Sequence, residues 1–429
     1  MPMIERFRYT LMHSCGVGRG DSILVCCSGG VDSMVLLRLM LAVKDELDLK
    51  LHVVTVDHGL RCEAPGDAAF VLDTCRGLGV QASLYELGMD PHTPDLEEAA
   101  RIKRYEAIHD CRARLGMRSM ATGHTLDDQA ETVLYRLARG TGLKGMQGMA
   151  YARQDGLIRP MLDLTRKEVE EYARAHAIRF VTDQTNADLT LTRNLIRKQI
   201  MPLFRRINPV VEQALGRFAR IAQVEHGFVE DEARRLMDQA MIADWRICRV
   251  LDAARLKAAP EPVVQCLGMN LAAEMLGDPR GIEALAAASV LEVLLGRSRA
   301  HTLKRRLRVE HGAGYVTFSM AGKGPFYELN VSGDGEYHVS QIGQLIRIGR
   351  KSATFPAQGR RRGGETACLI RSCLPGDTVA GRKVVKHLAD KRVIAPLRRF
   401  WPVLVNGDTV IGVAGMDLPG ASVEAAFPL

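Results

Sequence analysis

The chain has 429 residues, 47% of them apolar and 25% charged, which is a soluble globular balance that excludes a disordered chain and predicts two or three domains. No apolar run reaches membrane-spanning length, since the longest candidate, MVLLRLMLAV, is broken by Arg38; with no signal-like N-terminus, the sequence reads as cytoplasmic. The net charge of +8 is gathered into clusters at 193–220, 359–364 and 382–399, a spread that suits an extended polyanion or, equally, a solvated basic surface.

In chain order, SILVCCS is an apolar strand and DSMVLLRLMLAVKDEL a helix. KLHVVTVDHG is a β-branched strand, PGDAAFVLDTCRGLG a helix, and VQASLYEL a third strand. DLEEAARIKRYEAIHDCRARLG has strong helical periodicity, MRSMATGH is a short strand, and TLDDQAETVLYRLARG is a helix with Thr125 as N-cap and Gly140 as stop. This alternation predicts an α/β fold with a parallel sheet covered on both faces. From about 205 to 300, Ala, Leu, Arg and Glu at helical spacing predict a helical block without strands; beyond 308, Gly and β-branched residues predict a small α+β domain. The expected domains are therefore 1–205, 206–307 and 308–429.

Ser28-Gly29-Gly30-Val31-Asp32-Ser33 joins the first strand to the first helix of the alternation. Glycines there allow close backbone approach, and the helix N-terminus offers unpaired N–H groups and a positive dipole end, which together favour an anion such as phosphate. A carboxylate at Asp32 opposes an anion unless it orients the loop or meets Mg²⁺ or the substrate. An ordinary capped turn is the plain alternative. No G-x-x-x-x-G-K-[ST] occurs, and CGVGRG at 15–20 precedes the strand, so neither the P-loop nor the dinucleotide fingerprint applies. The ten cysteines contain no C-x-x-C pair, leaving zinc and iron–sulfur sites without support.

The S-G-G-x-D-S junction resembles the pyrophosphate loop of the ATP pyrophosphatases, the PP-loop superfamily. With VDHGLR (56–61), EEAARIKRYEAI (97–108), TGHTLDDQAETVLYRLARGTGLKGMQGM (122–149), IRPMLDLTRKEVEEYA (158–173) and FVTDQTNADLTLTRNLIRKQIMPLF (180–204), the first 215 or so residues resemble the tRNA(Ile)-lysidine synthase family. The helical block and residues 374–416 resemble its C-terminal domains more loosely, and the segment around GRSRAHTLKRRLRVEHGAGY departs from the pattern.

The resemblance implies an ATP-dependent carbon–nitrogen ligase. Its chemistry adenylates the C2 oxygen of the wobble cytidine in the CAU anticodon of tRNA(Ile), then joins free L-lysine to C2 to form lysidine, with ATP as substrate and Mg²⁺ as cofactor. It implies that Ser28, Gly29, Gly30, Val31, Asp32 and Ser33, with Asp57, His58 and Arg61, lie by the nucleotide. Arg101 and Arg104, three apart on one helix face, are implied to contact nucleotide or the lysine carboxylate, although Glu97 and Glu98 offer them plain helix partners. His124, Asp127, Asp128 and Glu131 surround the start of the next helix; first-turn acids are ordinary dipole partners, but the resemblance implies that Asp128 and Glu131 hold lysine and activated cytidine. Arg193 and Arg197, four apart, are implied to close over the site and touch tRNA. Which carboxylate holds the metal stays open. Two alternatives stand beside this reading: a tRNA cytidine thiolase on the same loop, expected to carry metal-ligand cysteines, and a non-catalytic nucleotide-regulated RNA-binding protein. Trp245 and Trp401 read as packing residues.

Overall fold

The computed structural model describes residues 2–425 other than 58, 60–63, 91–92, 94–95, 182–191, 278–283, 305, 322–325, 332–334, 350–367 and 419–420. The chain divides into two compact units, residues 1–226 and 227–429.

The first unit holds five parallel strands, β1 Ser22–Cys26, β2 Lys50–Asp57, β3 Ala82–Glu86, β4 Ser119–Ala121 and β5 Leu157–Ile158, in the order β3-β2-β1-β4-β5. Helices α1 Met3–Tyr9, α2 Val31–Lys44, α3 Ala64–Gly77, α4 Leu96–Arg114, α5 Leu126–Ala138, α6 Leu143–Met146 and α7 Arg166–Ala175 accompany them. Ile23, Leu24 and Val25 of β1 are fully buried. That is why the central strand reads as an unbroken apolar run: side chains on both of its faces meet helices. Ile23 and Val25 join the core with α2, and Leu24 joins Val54, Met120, Ile108 and Cys111 in the core with α4. α2 buries seven apolar side chains from Met34 to Val43, each contributing roughly 1.5–3 kcal/mol when fully removed from water.

From β1 the chain moves outward to β2 and β3, then returns across to β4 and β5. β1 hands the chain on to β2 on one side and β4 to β5 on the other, so the C-terminal edge between β1 and β4 is the switch point where open α/β sheets form a ligand crevice. The expected junction at 28–33 and the turn at 122–125 both lie on this edge. The unit is completed by α8 Thr192–Leu195, a wider π-helical turn Ile196–Ile200, α9 Met201–Ile207 and the first half of α10 Val211–Ala240. Ile196, Met201 and Val211 pack on Ala130 and Leu134, fastening this segment along α5.

In the second unit the strand-free helical block is corrected. Met241–Trp245 and Cys248–Asp252 form an antiparallel hairpin inside it. The hairpin continues a sheet with Tyr315–Met320, Leu307–Gly312 and Ala300–Leu303. The alternation that drives it, with Trp245, Cys248 and Val250 buried, is only a few residues long and lies between Ala/Leu-rich helices, so helical periodicity dominates any wider window. A boundary at 307/308 falls at the first residue of one of these strands, and the first unit runs past 205 to 226. Helices Glu261–Leu276 and Ala284–Leu294 pack on this sheet, and two four-stranded antiparallel sheets follow, giving the C-terminal part its expected β-rich character. Trp245 and Trp401 are buried with ring centroids 5.7 Å apart, a packing role as expected. No described helix is long and apolar enough to cross a membrane.

Candidate active site

β1 delivers the chain to Ser28 at the sheet edge, Gly29 turns it at φ +85°, and Gly30, extended at φ −70° and ψ 161°, precedes the first turn of α2. The turn is held from inside. Buried Ser33 accepts from the Ser28 N–H through Oγ at 3.1 Å and donates to the Gly30 carbonyl at 2.9 Å. Ser33 therefore shapes the loop, while Ser28 is exposed at its tip. The Val181 N–H donates to the Gly29 carbonyl at 2.9 Å, fixing the turn from the segment after α7.

The turn after β4 abuts this loop. A Cβ at Gly123 would lie 2.9 Å from the Asp32 carbonyl oxygen and 3.2 Å from the Ser33 nitrogen, so glycine is what lets the two turns meet. His124 follows, its Nδ1 2.8 Å from Thr122 Oγ1. Thr125 caps α5 as expected. The Asp128 carboxylate reaches back to accept from the Thr125 N–H at 2.9 Å and from its hydroxyl at 3.0 Å.

Behind the loop the charges alternate. Arg197 reaches α5 from the π-helical turn, donating to Glu131 through Nε at 2.6 Å and through Nη2 at 3.0 Å, and to Asp128 Oδ1 at 3.1 Å. Glu131 is only 3% exposed, so this fork neutralises a carboxylate that water hardly reaches. Asp127 lies on the other side of the helix, accepting from the Arg166 backbone N–H at 2.7 Å and facing Arg205 at 3.3 Å. Burial is the largest influence on Asp127 and raises its pKa. Arg205 also binds buried Glu212 at 2.6 Å.

Asp32 is the link between loop and acidic helix. Its Oδ2 faces Arg166 Nη2 at 3.2 Å. Its Oδ1 is buried and accepts no hydrogen bond from the described residues, and Arg166 Nε is likewise buried without an acceptor. Burial raises the Asp32 pKa to about 6; Arg166 and Arg197 pull it down, while Asp128 and Asp127 push it up. An unsatisfied carboxylate oxygen beside an anion-binding turn fits a hard cation such as Mg²⁺. No three metal-ligating side chains converge among the described residues.

The other expected residues distribute as follows. Buried Asp57 ends β2 and accepts from the Gly59 N–H at 2.8 Å, an intraloop bond. His58 and Arg61 lie outside the described residues, as does the Arg193 side chain, whose backbone is in α8. Arg101 and Arg104 are both exposed on α4, and Arg101 is paired with Glu98 at 2.8 Å, the plain helix partnership. The structure thus brings together Asp32, Asp127, Asp128, Glu131 and Arg197, but does not bring Arg101 to them. Sequence reasoning missed Arg166, Arg205 and Gly123. Arg166 had a signal: it opens a capped helix just after β5, on the sheet edge where ligands bind.

The basic clusters are partly consumed internally. Arg197, Arg205 and Arg220 are ion-paired. In the second unit Arg382 pairs with Asp390 at 2.6 Å, and Arg399 lies 4.6 Å above the Phe400 ring. Lys198, Arg206, Arg217, Lys383, Lys386, Lys391 and Arg392 remain exposed. The cluster at 359–364 lies outside the described residues.

A parallel sheet with a Ser-Gly-Gly turn at its switch point defines the first unit as a PP-loop domain, and residues 4–204 match that family. The tRNA(Ile)-lysidine synthase of Thermotoga maritima is 36% identical over 408 residues, covering 92% of each chain. That of Symbiobacterium thermophilum is 31% identical over 97% of this chain and 94% of its own. That of Thermosipho africanus is 39% identical, over 54% of this chain and 55% of its own. The chain belongs to the tRNA(Ile)-lysidine synthase family.

Proposed function

We propose that this protein uses ATP to replace the C2 oxygen of the wobble cytidine in the CAU anticodon of tRNA(Ile) with free lysine. The C2 oxygen attacks the α-phosphorus and pyrophosphate leaves. The lysine ε-amine then attacks C2, and the oxygen departs with AMP, leaving lysidine. The observation that carries the reading is the meeting of an anion-binding turn with the buried acids of α5 at one switch point.

In this reading the backbone N–H groups from Ser28 to Val31 bind the polyphosphate, with Ser28 adding its hydroxyl and Ser33 keeping the turn in shape. Asp57, His58 and Arg61 flank the nucleotide from the end of β2. Asp32 is the carboxylate that would hold Mg²⁺, which when bound neutralises charge on the phosphates. Asp128 and Glu131 receive the lysine ammonium and the activated cytidine, with His124 and Asp127 lining the approach. Arg197 occupies those carboxylates in this structure, so cationic substrate exchanges with it or shares them. Arg193 meets the transferring phosphate or the RNA; Arg101 and Arg104 are reserved for substrate approaching α4. The cytidine comes from a single-stranded loop and is splayed into the crevice. The exposed lysines and arginines of the second unit, in both its helical and β-rich parts, hold the tRNA backbone.

The test is incubation with tRNA(Ile) bearing CAU, ATP, Mg²⁺ and labelled lysine. Lysine-dependent AMP release with covalent label in that tRNA, and none in tRNA(Met), supports the reading. Equal label in both tRNAs, or none in either, refutes it.

A further inference from the structure

Arg217, Arg220 and Tyr9 are not used by the chemistry above, yet they line one cavity of about 390 Å³ in the first unit, within the ordinary range for ligand sites. Its walls are α1, the start of α5, the turn before α7 and the first half of α10. Three guanidiniums, from Arg6, Arg217 and Arg220, face it against one carboxylate, Asp163.

The state of each charge differs. Asp163 is saturated: it accepts from Thr10 Oγ1 at 2.9 Å, from the Tyr151 hydroxyl at 2.8 Å and from Arg220. Arg6 is anchored by Glu168 and donates to the Asp163 carbonyl at 2.6 Å. Arg217 is exposed and has no ion pair among the described residues. Tyr9 is 58% exposed, with its ring 4.4 Å from that of His13. Leu126 contributes to the wall, and a Cβ at Gly216 would come within 2.4 Å of it, so glycine lets α10 seat there.

We infer that this cavity is a second RNA subsite, in which Arg217 and Arg220 hold a backbone phosphodiester and Tyr9 stacks on an adjoining unpaired base. An exposed ring beside guanidiniums is the usual pairing for single-stranded RNA. One carboxylate in the wall opposes a polyphosphate more than a singly charged phosphodiester. Leu126 lines the cavity while Asp127 and Asp128, next in the chain, turn to the acidic site, which puts the subsite next to the reacting base. The inference rests on the RNA reading proposed above.

The full-length protein is titrated with fluorescent tRNA(Ile) across a salt series, and the KM values for tRNA and ATP are measured separately. Arg217→Ala weakens RNA binding about fivefold and lowers the salt slope by about 1. Tyr9→Ala weakens it about tenfold, and Tyr9→Phe restores it. Arg8→Ala, which removes an equal charge from the same helix at a residue paired with Glu46, stays within about twofold. Wild-type RNA affinity in both Arg217→Ala and Tyr9→Ala overturns the subsite. So does an Arg217→Ala variant whose KM rises for ATP and not for tRNA, because the cavity then holds free nucleotide. Wild-type protein that binds the RNA but never ligates lysine, with the variants showing these losses, sinks the proposed reaction and keeps the subsite.

Discussion

Gly123→Ala is the sharpest test of how the loop is built. Gly123 does not have a positive φ, so alanine there adds a methyl group without backbone strain. That methyl carbon meets backbone, at 2.9 Å from the Asp32 oxygen and 3.0 Å from its carbonyl carbon. Backbone cannot rotate aside as a side-chain tip does, so the β4–α5 turn and the first turn of α2 must separate by about half an ångström. Overpacking of this kind costs about 1–3 kcal/mol of stability. A displacement of about 1 Å at reacting groups costs on the order of 100-fold, so half of that predicts a fall of about tenfold in kcat/KM for ATP. The assay is pyrophosphate release against ATP at saturating lysine and tRNA, with a thermal melt of each variant. Gly142→Ala is the comparison, since its Cβ meets nothing within 4 Å. A Gly123→Ala protein with wild-type ATP kinetics and melting would refute the claim that the two turns need this contact.

Arg197→Met removes the fork from Glu131, which is 3% exposed; discounted for the partial exposure of Arg197, the loss is about 2 kcal/mol in denaturant unfolding, and Arg197→Lys recovers only part of it. A wild-type midpoint for Arg197→Met would contradict the pairing. Asp32, raised to about 6 mainly by burial, makes kcat/KM for ATP fall as pH drops below about 6. Its raised value contributes stability below the unfolded pKa, near 4, and that contribution is lost as pH rises through about 6. Asp32→Asn is therefore inactive yet, at pH 8, more stable than wild type by on the order of 1 kcal/mol; a less stable variant would show that Arg166 outweighs burial. Ser33→Ala leaves the Ser28 N–H without its internal partner and the Gly30 carbonyl with the Met34 N–H alone, costing about 1–2 kcal/mol and raising the KM for ATP, as read by melting and initial rates. An unchanged KM would show that the loop holds its shape without the hydroxyl.

Much of the first unit is written in local pattern. β1 announces itself as a buried run because both faces are covered, and α5 because Thr125 and Asp128 close its first turn. The α5 acids were legible as a set since spacing three places Asp128 and Glu131 together, and one guanidinium does touch both. Arg166 was legible only as a residue near the sheet edge; its meeting with Asp32 joins residues 134 apart and depends on how α7 returns to that edge. Arg101 shows the other limit: helical spacing fixes that it shares a face with Glu98, its partner here, but not what else that face meets. The hairpin at 241–252 escaped because a short alternation between long Ala/Leu helices is settled by its partner strand at 315–320, not by its own residues.

Oxygen tracing follows the proposed chemistry atom by atom. tRNA(Ile) carrying ¹⁸O at C2 of the wobble cytidine is turned over with ATP and lysine, and the released nucleotide is examined by mass spectrometry. AMP bearing the heavy oxygen on its phosphate, with lysidine in the RNA, is the expected result. Unlabelled AMP, or ADP in its place, would mean that the base oxygen is never phosphorylated at this loop.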